Sequence, residues 1–147
     1  MSTVTKRILL IDDMPDIRES LRRTLCPPVT AQARLQALMN GTPINSAKPY
    51  DIFEASQGED GVALARQAFD EGMPFDIAIV DMRMPPGIDG LETIRRIREF
   101  DNTMRVVVCS GFSDYSVDEL TEINGGAAPI IVPKPFEEDD ILAAVKD

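Results

Sequence analysis

Residues 7–25 read RILLIDDMPDIRESLRRTL. Arg7 to Ile11 is a short, mostly apolar run closed by two acids, Asp12 and Asp13. Asp16 to Leu25 then brings Ile17, Leu21 and Leu25 round at helical spacing. Pro15 suits the first helical position, where its missing N–H leaves no bond unmade. The unit is a buried strand, an acidic turn and an amphipathic helix, and it recurs along the chain. Tyr50–Ala55 predicts a second strand. A helix from Glu59 to Glu71 follows, with Val62, Ala65 and Phe69 inward and Gly72 closing it. Asp76 to Val80 predicts a third strand ending at Asp81, and Leu91 to Glu99 a helix with Leu91, Ile94 and Ile97 inward. Arg105 to Cys109 predicts a fourth strand, and Ser116-x-x-Glu119 a capping box that opens the next helix. Ile130 to Val132 predicts a fifth strand, and Glu137 to Lys146 a last helix with Ile141, Leu142 and Val145 inward.

Nearly continuous apolar strands separated by helices predict a parallel sheet covered on both faces. Right-handed crossovers make this a doubly wound α/β sandwich, whose sites lie outside the carboxyl ends of the strands. The 147 residues suit one domain. One segment breaks the rhythm, the insert 26–49. Pro27-Pro28 ends the first helix, Thr30 caps a short helix with Ala31, Leu35, Leu38 and Met39 on one face, and Gly41 follows. The reading favoured here is an extra helix packed on the domain; the other is a surface for a partner or a second copy.

A formal charge of -10 argues against general attraction to nucleic acid or anionic lipid. The longest apolar runs, Ile8 to Ile11 and Val106 to Cys109, are too short to span a bilayer, and residues 1–7 lead into no stretch of signal-peptide length. Two cysteines without metal-like spacing fit a reduced, cytoplasmic setting. The chain has no histidine, which removes most zinc sites and Ser-His triads.

If the first and third strands are neighbours, Asp12, Asp13 and Asp81 converge at one end of the sheet. Such clustering is costly unless a cation joins it, and an all-oxygen set suits Mg²⁺. A single aspartate after a strand is usually only a cap; three at equivalent strand ends argue for more. Lys134, at the end of the fifth strand and stiffened by Pro133 and Pro135, can neutralise a phosphoryl oxygen. Ser110 follows the fourth strand and offers a hydroxyl to the same group.

Asp12-Asp13, the stretch DMRMPPGIDG from Asp81 to Gly90, Ser110-Gly111 and KPF from Lys134 to Phe136 together resemble the response-regulator receiver family. The resemblance runs from Lys6 to the C-terminus, apart from the insert. It implies a flavodoxin-like five-stranded parallel sheet in the order 2-1-3-4-5. It also implies that Asp81 accepts a phosphoryl group from a histidine kinase or histidine phosphotransfer protein, and that Asp12, Asp13, Asp81 and the backbone carbonyl of Arg83 hold Mg²⁺. Lys134 then contacts the phosphoryl group across a cis Lys134–Pro135 bond, and Ser110 is the switch hydroxyl. An attached output or kinase domain and a homodimer are the further partners it allows, without direct nucleic-acid contact.

This chain departs from the family pattern in several places. Ile131 stands where the family usually has Tyr or Phe, so the customary aromatic switch is in doubt. The loop MPPGIDG is one residue longer than the commonest form. Arg83 and Phe112 occupy positions that influence loss of the phosphoryl group, and Phe112 is expected to shield it. The short last helix, and the likeness of PPGIDG and SDYSVDEL to receivers of hybrid sensor kinases or those beside nucleotide-cyclase domains, fit a piece of a longer protein. Three other classes compete with this reading. An aspartyl-nucleophile phosphatase usually has a second Asp where this chain has Arg83. A mononucleotide binder lacks its Gly-rich loop here. A docking module without phosphorylation stays open because of Ile131.

Overall fold

A computed structural model describes residues 5–27, 30–41, 50–111, 117–126 and 130–146. The elements run β1 (Lys6–Ile11), α1 (Pro15–Leu25), α2 (Ala31–Asn40), β2 (Tyr50–Ala55), α3 (Gly58–Asp70), β3 (Ile77–Asp81), α4 (Gly90–Arg98), β4 (Arg105–Ser110), α5 (Val117–Ile123), β5 (Ile130–Pro133) and α6 (Glu138–Val145). The five strands form one sheet in the order β2-β1-β3-β4-β5, with every pairing parallel. This is the expected flavodoxin-like arrangement.

The two-residue alternation of a strand divides the core into two layers. Leu9, Ile11, Ala78, Val80, Val106 and Val108 face α3, α4 and α5. Ile8, Leu10, Ile77, Ile79, Val107, Cys109 and Val132 face α1 and α6. The central strands are apolar on both sides because both sides are covered. The ends of β1, β3 and β4 must therefore carry any polar chemistry.

Helix boundaries follow local signals. Pro15 sits at the start of α1, and the Thr30 side chain accepts from the Ala33 N–H at the start of α2. Gly41 and Gly72 take positive φ just past α2 and α3, where a side chain would be strained. The Ser116 cap lies outside the described residues.

Three expectations about faces need correction. α2 forms as expected but is not packed on the domain: none of its residues is buried, and Leu38 and Met39 are each 78% exposed. On α3 Ala65 is buried and Val62 packs half-buried against the core, as expected, and Gly58, Gly61 and Ala68 join them; Phe69 departs, 39% exposed with its ring against Phe100. Small residues bring this helix close to the sheet and to α4, so its bulkier neighbours are pushed to the rim. In α6 the inward set is Ile141, Ala144 and Val145, and Leu142 is exposed.

The closeness of α3 to β1 can be tested. A Cβ on Gly61 would lie 2.4 Å from Cδ1 of Ile11, itself fully buried. Gly61→Val is expected to cost about 1–3 kcal/mol through overpacking. Urea unfolding measures it, and an unchanged midpoint would contradict the packing.

Candidate functional site

Parallel pairing aligns Ile11 with Val80, so Asp12 and Asp81 emerge side by side from β1 and β3. Asp81 is in turn level with Cys109 on β4, which puts Ser110 one step beyond it. Pro133 pairs with Ser110, and the Lys134 N–H donates to the Ser110 carbonyl at 2.8 Å. Four strand ends thus deliver the candidate residues to one crevice. Asp12, Asp81 and Ser110 are buried, and Asp13 is half-buried.

One carboxylate oxygen from each of Asp12, Asp13 and Asp81 lies within 4.8 Å of the others. The Lys134 ammonium donates to Asp81 Oδ1 at 2.8 Å and stands 3.9 Å from Asp12 Oδ2. The Met14 N–H donates to Asp12 Oδ1 at 2.9 Å, which fixes the orientation of that carboxylate. Three carboxylates against one ammonium leave an excess of negative charge in a partly buried space. All-oxygen donors of this charge suit a hard divalent cation.

The titration of the groups reflects burial first and this crowding second. Burial, helped by the charges of Asp81 and Asp13, pushes the Asp12 carboxyl up to about 6, against the pull of the Met14 N–H and Lys134. Burial works against the Lys134 charge, but the hydrogen bond and charge of Asp81, with Asp12, prevail and raise its pKa. Burial holds the Cys109 thiol up at about 12, so it stays protonated beside the site.

Arg83 is exposed between buried Met82 and Met84, so its backbone is anchored while its side chain points outward. Lys134–Pro135 is cis, as the resemblance implies, and so is Pro85–Pro86. Ile131 is half-buried against the core layer of α3, α4 and α5. Phe112 and Tyr115 lie outside the described residues. One contributor was missed in the sequence: a Cβ on Gly90 would lie 2.5 Å from the Asp81 carbonyl oxygen, so α4 can start against the back of Asp81 only with glycine there. The sequence pattern does not say what Gly90 faces; only the fold brings it against Asp81.

Residues 35–146 match the response regulator receiver domain family. The chain belongs to this family. The receiver is 31% identical over 140 residues to the nitrate/nitrite response regulator protein NarL of Escherichia coli (strain K12), covering 94% of this chain and 52% of that protein. It is 32% identical over 102 residues to the chemotaxis protein CheY of Listeria monocytogenes, covering 69% of this chain and 82% of that one. The chain thus spans about half the length of the first of these relatives. The fold agrees with that of a CheY-like receiver domain protein from Methanospirillum hungatei JF-1 (TM-score 0.65, 21% identity, 97% of this chain and 91% of that one). The receiver is therefore a module of the kind found in two-component response regulators. No helix among the described residues is long and apolar enough to cross a membrane.

The raised Asp12 pKa has a measurable sign. In metal-free protein the folded state holds this proton more tightly than the unfolded chain does. Ionising Asp12 therefore costs stability as pH rises through about 6, and the loss is recovered as pH falls toward the ordinary carboxylate range. Asp12→Asn is expected to raise the urea midpoint in EDTA at about pH 7.5, with the gain falling to about half at about pH 5 and vanishing only below about pH 4, where the unfolded carboxyl is protonated too. An equal gain throughout would show that the proton is not involved.

Proposed function

We propose that this receiver takes a phosphoryl group from a histidine kinase or histidine phosphotransfer protein onto Asp81, in the cytoplasm, and passes the change on to a partner or attached domain. The observation that carries the reading is the Lys134 ammonium bridging Asp81 and Asp12 in a buried crevice of three carboxylates. A cation fixed there faces the reacting oxygen and the space into which an anionic phosphoryl group must come.

In the reaction a carboxylate oxygen of Asp81 attacks phosphorus in line. The bond from phosphorus to the donor nitrogen breaks and its electron pair leaves with the imidazole. Lys134 then exchanges part of its contact with Asp81 for a phosphoryl oxygen, a donor already placed before charge arrives. The Ser110 hydroxyl, one residue beyond the partner of Asp81 in the sheet, donates to another phosphoryl oxygen. Asp12, Asp13, Asp81 and the Arg83 carbonyl would hold Mg²⁺. Bound there, it supplies positive charge that offsets the phosphoryl oxygens and the crowded carboxylates.

The response starts from Ser110. Its backbone carbonyl is already tied to the Lys134 N–H, so a shift of Ser110 toward the phosphoryl group moves the ends of β4 and β5 together. Ile131 on β5 gives this movement an aliphatic, half-buried path in place of an aromatic rotamer change. The chain acts as a signalling module whose only chemistry is slow uptake and loss of its own phosphoryl group.

Incubation with acetyl phosphate and Mg²⁺ is expected to add one phosphoryl group, mapped by mass spectrometry to Asp81. Asp81→Asn stays unmodified, EDTA abolishes uptake, and Lys134→Ala slows it by about a hundredfold, the loss typical of a preorganised charge donor. Modification of Asp81→Asn to the wild-type extent, or metal-independent uptake, would rule the assignment out.

A further inference from the structure

Alternation along β2 places Ile52 in the layer of α1 and α6, so Glu54 faces the same side. There it meets two arginines one helical turn apart on α1. Arg18 Nε lies 3.3 Å from Glu54 Oε1, and Arg22 pairs with Glu54 Oε2. The two arginines differ in one respect. Arg18 also donates from Nη1 to the backbone carbonyl of Asp12 at 2.7 Å. Arg22 makes no hydrogen bond to Asp12, Asp13 or Asp81 among the described residues.

That carbonyl belongs to the peptide group joining Asp12 to Asp13. A peptide is planar, so holding its oxygen also sets the directions of the Asp13 N–H and Cα. On its other side Asp12 is held by its own N–H, which donates to the Ala55 carbonyl at 3.1 Å. β2 therefore grips the acidic turn twice, through Ala55 directly and through Glu54 by way of Arg18. The guanidinium fork suits this task, since it can place one N–H on a carboxylate and another on a carbonyl with fixed geometry. Both side chains are largely covered, with exposures of 19% and 29%, so solvent screens the contact only in part.

We propose that Arg18 is a positioning residue of the acidic site: anchored on Glu54, it fixes the peptide between Asp12 and Asp13 and so sets the carboxylate spacing that receives the cation. The inference rests on the reading of Asp12, Asp13 and Asp81 as a Mg²⁺ site. The bland alternative is that Arg18 only staples α1 to β2, and Arg22 supplies the control, because it makes the same staple without touching the acidic turn.

The test is a Mg²⁺ titration of the whole chain followed by amide NMR shifts at Asp12, Asp13 and Asp81. Thermal midpoints in EDTA are measured alongside. Arg18→Met is expected to weaken Mg²⁺ roughly tenfold, as loss of an outer partner does at metal sites, while Arg22→Met stays within about twofold of wild type. The two variants lose similar thermal stability. Glu54→Gln weakens Mg²⁺ less than Arg18→Met, and the double variant is no worse than Arg18→Met alone, since the pair acts as a unit. Should Arg18→Met fail to fold, Glu54→Gln against Arg22→Met carries the comparison: both break the Arg22 pair, and only the former releases Arg18. Unchanged affinity in Arg18→Met, or equal losses in the two arginine variants, overturns the positioning role alone. A wild-type chain with no Mg²⁺-dependent shifts at these residues overturns the site reading and the proposal with it.

Discussion

The register of β1 against β3 is the constraint on which the rest depends. Because Ile11 pairs with Val80 in parallel, the next residue on each chain segment, Asp12 after β1 and Asp81 at the end of β3, comes level with the other, and both are aspartates. A shift of one position would turn the side chains of β1 to the opposite layer and carry Asp12 away from Asp81. Close packing opposes it, since Ile8, Leu9, Leu10 and Ile11 are all fully buried and a slip would force each to repack in the opposite core layer. Core packing thereby holds two carboxylates close together, with oxygens within 4.8 Å of each other, an arrangement no isolated segment would adopt.

What makes that contact tolerable comes from the far side of the sheet. β5 lies beyond β4, and its end is tied to Ser110 through the Lys134 N–H. The ammonium reaches back across β4 to Asp81 and Asp12. One ammonium does not neutralise three carboxylates, and Asp12 carries the consequence: burial first, with the charges of Asp81 and Asp13 added, raises its pKa. Buried Met82 and Met84 and the close start of α4 at Gly90 hold the loop after Asp81, so the backbone beside the Asp81 carboxylate is supported from behind. The charged centre is thus built on rigid elements, and the strain of concentrated charge is available to favour a cation or to be relieved by one.

Much of this was legible in the chain itself. The strands announce themselves as apolar runs, and Asp12, Asp13, Asp81, Ser110 and Lys134 follow those runs directly, so strand ends and site residues were read together. The helix faces were harder. α3 turns Gly58, Gly61, Ala65 and Ala68 inward, and such residues carry almost no hydropathy signal beside Phe69 and Val62. α2 has caps and an apolar row, yet nothing in a local pattern says whether a neighbour exists to cover that row. Arg18 and Glu54 belong to no motif and carry no pattern that singles them out. Their meeting depends on β2 lying beside β1, and their link to Asp12 on a backbone carbonyl that no side-chain pattern encodes.

Anomalous diffraction from crystals soaked in Mn²⁺, an oxygen-seeking stand-in for Mg²⁺, tests the central claim most directly, because it locates the cation without reference to any activity. One strong peak is expected within coordination distance of Asp13 and Asp81, with Asp12 beside it and Lys134 on the opposite side. A peak elsewhere, or none at the strand ends while the carboxylates remain clustered, would contradict it.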